Sequence, residues 1–144
     1  MSTPRSSDAS GEMFGRLASA LEADWRTIAR LNQLPPEWKW RFWLVLAGRG
    51  WGKTRSGVEW VRMLVENNRA RRIALVAPTA ADVRDVIVEG HSGVLATASS
   101  WCRPVYEPSR RRLTWPNGAI ATTYSADEPE RLRGPQHDAA YCDE

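Results

Sequence analysis

The chain has 144 residues, the size of one ordinary domain, and an apolar fraction of 42% that can supply a real core. A net charge of +3 permits a polyanionic partner without requiring one, and two distant cysteines, Cys102 and Cys142, with no C-x-x-C and no clustered histidine, argue against a zinc site or a disulfide framework. No apolar run nears the ~18 residues of a membrane span and no secretion signal opens the chain, so the expectation is a soluble cytosolic protein with reduced thiols.

Residues 1–11 are rich in Ser with Thr, Pro and Asp, bury little, and read as a disordered tail. Over 12–36, Phe14, Leu17, Ala18, Leu21, Trp25, Ile28 and Leu31 recur at three- and four-residue spacing, which predicts an amphipathic helix, and Pro35-Pro36 ends it as a linker. Its apolar stripe serves equally for packing on the domain's flank or for docking a partner. Three of the eight tryptophans follow, Trp38, Trp40 and Trp43. With Gln33 they either stack on a purine or plug the space between helix and sheet.

Residues Arg41–Thr54 hold a short apolar run, a glycine-rich turn, then Lys53 and Thr54 opening a periodic segment. A buried strand over Trp43–Ala47 would deliver the chain to one point. Small residues then let backbone N–H groups curl around phosphate oxygens, and the following helix aims its positive end at them. Ala47, Gly48, Arg49, Gly50, Trp51, Gly52, Lys53 and Thr54 match G-x-x-x-x-G-K-[ST] with alanine at the first position. Lys53 supplies a point charge for the β- and γ-phosphates, and the Thr54 hydroxyl can ligate Mg²⁺.

From Thr54 to Val65 the spacing of Val58, Val61, Leu64 and Val65 predicts a helix, with Arg55, Glu59 and Arg62 able to pair along its other side and Asn67-Asn68 closing it. Arg72–Pro78 is apolar without alternation and reads as a strand covered on both faces, so the two strands and their crossover make a right-handed parallel βαβ unit. Thr79 is either a ligand contact at a strand's carboxyl end or a helix cap, and Ala80–Glu89 reads as a short helix stopped by Gly90. Val94–Trp101 is helical or looped. Beyond Pro104, alternation over Val105-Tyr106, Leu113–Trp115 and Ala119–Tyr124, with Pro116-Asn117-Gly118 as a turn, predicts an antiparallel meander. Arg110, Arg111 and Arg112 at its first turn are either DNA-phosphate contacts or solvated cations. Ser125–Arg133 is a polar loop, after which Asp138–Glu144 is a small apolar run ending in two carboxylates. About ninety positions after Lys53 and Thr54, that pair suits an Mg²⁺-holding acid and a group that activates water.

These residues resemble the ATPase domain of the large terminase subunit, the motor that packages DNA in tailed phages, prophages and phage-like gene transfer particles. The likeness covers residues 37–144. It rests on Leu46–Thr54 with Gly57, Val58, Glu59 and Trp60, on Val76–Thr79, on Trp115–Gly118, and on Glu130–Asp138 running into Asp143-Glu144. The fold it implies is α/β, a P-loop NTPase of the ASCE, RecA-like kind: a mainly parallel sheet with flanking helices and an antiparallel meander. The implied cofactors are ATP and Mg²⁺, with Ala47–Thr54 as the Walker A loop, Thr54 and Asp143 serving the metal, and Glu144 as the catalytic Walker B carboxylate. Arg49 would sense the γ-phosphate, and Arg133, with Arg131 in competition, would reach the neighbouring subunit's ATP; otherwise both are loop arginines paired with Asp127 or Glu130. The implied partners are double-stranded DNA, a homo-oligomeric ring on a portal protein, and the small terminase subunit, in the host cytoplasm at the procapsid, with no membrane.

The family continues into a coupling motif and a nuclease domain, and it places a later strand between the phosphate-loop strand and the Asp-Glu strand. Neither lies within these 144 residues, so 37–144 is expected to be a partial ATPase domain truncated at the Walker B motif, with an incomplete sheet. A helicase-like ATPase and a non-catalytic terminase remnant are the rival readings.

Overall fold

The computed structural model describes residues 10–17 and 24–144. They divide into two compact units, one ending at Leu34 and one beginning at Pro35. In the first, residues 10–17 are helical, a separate turn of helix spans Trp25–Ile28, and a 3-10 turn spans Leu31–Gln33. This differs from the single helix expected over 12–36. Asp24 has extended backbone and accepts the Arg26 N–H on its carboxylate at 3.1 Å, which caps a fresh start at Trp25, and Ala29 returns to extended backbone four residues later. Trp25 is buried, whereas Phe14, Leu17, Ile28 and Leu31 are exposed. Ala18, Leu21 and residues 1–9 of the expected tail lie outside the described residues.

The second unit is a mixed α/β domain. Its sheet has five strands among the described residues, β1 (Arg72–Ala77), β2 (Val105–Glu107), β3 (Arg112–Thr114), β4 (Ile120–Ser125) and β5 (Ala139–Cys142), in the order β2-β3-β4-β1-β5. The expected meander is present, since β2, β3 and β4 pair antiparallel. β1 is the parallel centre, flanked by β4 and β5 with Leu75 opposite Thr123 on one side and Tyr141 on the other. Its apolar run builds the core. Ile73, Leu75 and Ala77 point to one face, where they cluster with Val58, Val61 and Val65 of helix α1 (Lys53–Glu66) and with Val83, Ile87 and Val88.

Local chemistry explains the connections. Asn67 ends α1 and Asn68 takes a left-handed φ of 53°. The Trp115–Gly118 turn closes on Gly118 at φ 85°, with the Gly118 N–H donating to Trp115 O at 2.9 Å. Asn117 Nδ2 also donates to Val65 O at 2.9 Å, so the meander's turn adds a second donor to a carbonyl of the last turn of α1 that already accepts the Asn68 N–H at 3.0 Å. Thr79 is a helix cap: its Oγ1 accepts the Asp82 N–H at 3.1 Å and opens α2 (Ala80–Asp82), which continues as a π-helix over Val83–Val88. Helix α3 (Val94–Thr97) and a 3-10 turn at Ser100–Cys102 follow. No helix among the described residues is long and apolar enough to cross a membrane.

One expectation is corrected. Trp43–Ala47 belongs to no strand, so it does not form a βαβ unit with β1. β5 takes the place beside β1 and no described strand lies beyond it. Residues 42–48 are therefore without a ladder, with Phe42, Leu44 and Leu46 exposed and Trp43, Val45 and Ala47 half-buried. The segment is held instead by aromatic packing, Trp40 lying 6.0 Å from Trp43 and 5.7 Å from Trp60 of α1, ring centre to ring centre. Trp40 thus packs on α1 within the second unit, while Trp38 stays exposed.

Candidate functional site

The glycine-rich turn has the backbone its composition demands. Gly50 sits at φ 76° and Gly52 at φ 94°, and Gly52 is the cap from which α1 starts. Gly52 O accepts both the Ser56 N–H at 2.9 Å and the Ser56 hydroxyl at 3.0 Å, which fixes the first turn of the helix. The start of a helix leaves backbone N–H groups outside the helical ladder, a setting that favours an anion. A Cβ added at Gly48 or Gly50 would meet nothing within 4 Å, so the space over the loop is open.

Four side chains converge there. Lys53 Nζ donates to Ala47 O at 2.8 Å and lies 3.1 Å from Glu144 Oε1. Thr54 Oγ1 donates to Asp143 Oδ2 at 3.0 Å across 89 positions of sequence. The sheet causes this meeting: β5 runs parallel to β1, and the Asp143 N–H continues the ladder by donating to Val76 O at 2.9 Å, so the two acids emerge beside the start of α1. Asp143 is half-buried and Glu144 exposed.

Behind them, helix and strand touch. A Cβ at Gly57 would lie 2.1 Å from the Tyr141 ring, so only glycine lets α1 approach β5 this closely. The Tyr141 hydroxyl is buried without a hydrogen-bond partner, next to Asp143 and Thr54. Burial first, and the Asp143 carboxylate second, push its pKa well above the ordinary tyrosine value, so it stays a neutral donor. The neighbouring Cys142 thiol is exposed and Cys102 is buried; both are free.

Other sequence candidates lie apart from this convergence. Arg49 is exposed in the turn and Trp51 is half-buried. Arg133 pairs with Glu130 at 3.1 Å, both well exposed, and Arg131 pairs with Glu128. Exposed pairs of this kind contribute about 0–1 kcal/mol. Arg110 pairs with Glu107 at 3.4 Å and Arg111 with Glu128 at 3.0 Å.

Several residues were not singled out in the sequence for what they do here. Glu59 pairs as expected, with Arg55 at 2.7 Å and Arg62 at 2.9 Å, but it does so fully buried, which its spacing alone does not indicate. Burial pushes its carboxyl up, and the Arg62 and Arg55 guanidiniums oppose that. Arg62 also donates to Thr97 O at 2.9 Å, tying α1 to α3. His137 Nε2 lies 3.0 Å from the Tyr124 hydroxyl, and Asp138 Oδ2 accepts the N–H groups of Arg71 and Arg72 at 2.8 Å each, pinning the start of β5 to β1.

No group of three or more His, Cys, Asp or Glu side chains is placed to hold a metal among the described residues. The pair formed by Thr54 and Asp143 is a different type, one hydroxyl and one carboxylate. Two protein oxygens suit an Mg²⁺ ion that keeps its remaining positions for water and phosphate.

The family model described as terminase large subunit, T4likevirus-type, N-terminal, matches residues 44–144. Searches of the curated proteins and of the solved structures each gave no match. The matched span begins at Leu44, runs through the glycine turn and ends on the two acids, so it holds every side chain of the convergence just described. By that match the chain belongs to the terminase large-subunit family.

Proposed function

We propose that this chain binds Mg-ATP at Ala47–Thr54 and hydrolyses it as part of a terminase large subunit, to drive double-stranded viral DNA into a procapsid. The observation that carries the proposal is the joint placement of Lys53 against Glu144 and of Thr54 against Asp143 at the start of a 14-residue helix. In this reading the loop's N–H groups hold the triphosphate, and the Lys53 ammonium exchanges Glu144 for a phosphate oxygen. Thr54 and Asp143 hold Mg²⁺, which supplies positive charge to the β- and γ-phosphates. Glu144, released from Lys53, orients the attacking water and takes its proton on the carboxylate. The Tyr141 hydroxyl is buried next to the same two residues, Asp143 and Thr54. Arg49 contacts the γ-phosphate, and Arg133 reaches across to the ATP of the next subunit of a ring, giving up a weak pairing with Glu130 to do so.

The same proposal assigns the fold to the ASCE P-loop class, in which the apolar segment Trp43–Ala47 would need a strand partner that the described residues do not supply. The open edge of β5 and the exposed Leu44 and Leu46 support it. They also favour a second reading, a domain that keeps the motifs without turnover.

One experiment separates the two. Phosphate release from Mg-ATP is measured for the wild-type chain and for Lys53→Ala and Glu144→Gln, with nucleotide binding followed in parallel. Turnover by the wild type that falls about a hundredfold or more in both variants, with binding kept only in Glu144→Gln, is the expected result. Wild-type binding without release establishes the second reading, and full turnover by Glu144→Gln removes that residue from the chemistry.

A further inference from the structure

Between the connection that joins β2 to β3 and the 3-10 helix Pro129–Leu132 lies an open pocket of about 420 Å³. Arg110, Arg111 and Arg131 line it, together with the hydroxyl residues Ser109 and Thr122. One carboxylate oxygen serves two of these arginines: Glu128 Oε2 is 3.0 Å from Arg111 Nη1 and also pairs with Arg131. Two guanidiniums around one acceptor leave positive charge in excess. Arg110, 57% exposed, pairs with Glu107 at 3.4 Å.

The site is also built at backbone level. Arg111 sits at φ 52°, left-handed for a residue that is not glycine, and such strain persists only where the surroundings impose it. Here they do. The Arg111 N–H donates to Pro108 O at 3.0 Å, and Arg111 O accepts the Thr123 N–H at 2.9 Å. The conformation places its side chain opposite Arg131, which comes from the polar loop after β4. A second cavity of about 140 Å³ adjoins, sharing Arg111, Thr123 and Tyr124.

We propose that this pocket is a phosphate site for the DNA backbone, with Arg111 and Arg131 as the clamp, Arg110 at its entrance, and Glu128 as a resident counter-ion that the phosphate displaces. The proposal rests on the reading of this chain as part of a DNA-packaging motor. Guanidinium forks match phosphate oxygens in pairs. The arginine side chains are between 34% and 57% exposed, so the ligand is met at the surface. At about 420 Å³ the pocket has room for more than one phosphate group, which suits the edge of a phosphodiester backbone lying across it. Arg131 is thereby assigned to DNA, and Arg133 is left as the arginine for a neighbouring nucleotide.

The test uses the full chain, a short fluorescent DNA duplex and a salt series, with Arg110→Ala, Arg131→Ala and Glu128→Gln as variants and circular dichroism as the folding control. Loss of either arginine should weaken binding equally for unrelated sequences and lower the slope of log affinity against log salt by about 0.9. Glu128→Gln should bind more tightly than wild type at low salt, a gain that misfolding cannot imitate. Unchanged affinity and slope in all three variants overturns the proposal. Inorganic triphosphate gives the second arm: if its binding depends on Arg131 while duplex binding does not, the pocket takes free phosphates and the DNA assignment fails. Nucleotide binding by Lys53→Ala in the same series keeps the two readings apart, because failure at Lys53 with intact arginine effects sinks the ATP site alone.

Discussion

Lys53 Nζ spans two acceptors, Ala47 O and Glu144, and that sharing has a kinetic consequence. A phosphate oxygen must compete with the Glu144 carboxylate for the same ammonium, so Glu144→Gln should tighten nucleotide binding as well as stop hydrolysis. Isothermal titration with a non-hydrolysable ATP analogue measures this, and weaker binding by the variant contradicts it. Gly57 is the other sensitive position. A methyl group there must displace the Tyr141 ring, and overpacking of this kind costs about 1–3 kcal/mol. Because Tyr141 is two residues from Asp143, Gly57→Ala should lower both the melting temperature and Mg²⁺-dependent nucleotide binding. Replacing Tyr141 with leucine in the same chain should restore part of the melting temperature. Glycine at 57 stood out in the sequence only as part of a family resemblance. Its physical reason, a ring pressed against the helix backbone, arises from a strand more than eighty positions away.

At the scale of the element, α1 carries two kinds of information. Its apolar stripe, Val58, Val61 and Val65, was legible from the 3.6-residue period and is buried against β1. Its charged side pairs as the spacing indicates, but periodicity ranks faces by polarity and cannot say that a glutamate is enclosed. Glu59 is fully buried between Arg55 and Arg62, and Arg62 continues to Thr97 O. Removing its charge takes the nearest counter-ion from both guanidiniums, with Glu66 standing at 4.0 Å from Arg62, so Glu59→Gln should destabilise the fold by about 3–5 kcal/mol in chemical denaturation. A change below 1 kcal/mol would show that the pairs are solvated in solution. The segment 42–48 shows the opposite failure. Its apolar residues were read as a buried strand, but a strand needs a partner, and the ladder positions beside β1 are taken by β4 and β5.

For the molecule as a whole, two of the contacts that hold the chain between β4 and β5, those of His137 and Asp138, titrate. His137 is lowered below its ordinary value of 6.5, first by burial and further by Arg72, while Asp138 opposes the shift. A depressed histidine stabilises the fold above the unfolded value and loses that contribution as pH falls through the lowered folded value. Asp138 is lowered too, by the Arg71 and Arg72 N–H groups, so its contribution is present above about 4 and lost as pH drops further. Stability should therefore fall in two stages on acidification, and His137→Gln should remove the first while leaving the second. Melting temperatures between pH 8 and pH 3, a range set by those two ordinary values, read both stages; a single stage in the wild type contradicts the scheme. Read from the chain alone, the class of the domain, the glycine turn, α1, β1 and the meander were all accessible, because each depends on neighbours within about twenty residues: apolar period, caps and turn chemistry. The family resemblance implied that Thr54 and Asp143 act together; the tertiary structure alone decided that β5 pairs with β1, that Lys53 contacts Glu144, that Glu59 is enclosed, and that Arg111 and Arg131 share one carboxylate. Those outcomes depend on which strand wins a place in the sheet, a competition among distant segments for the same backbone hydrogen bonds.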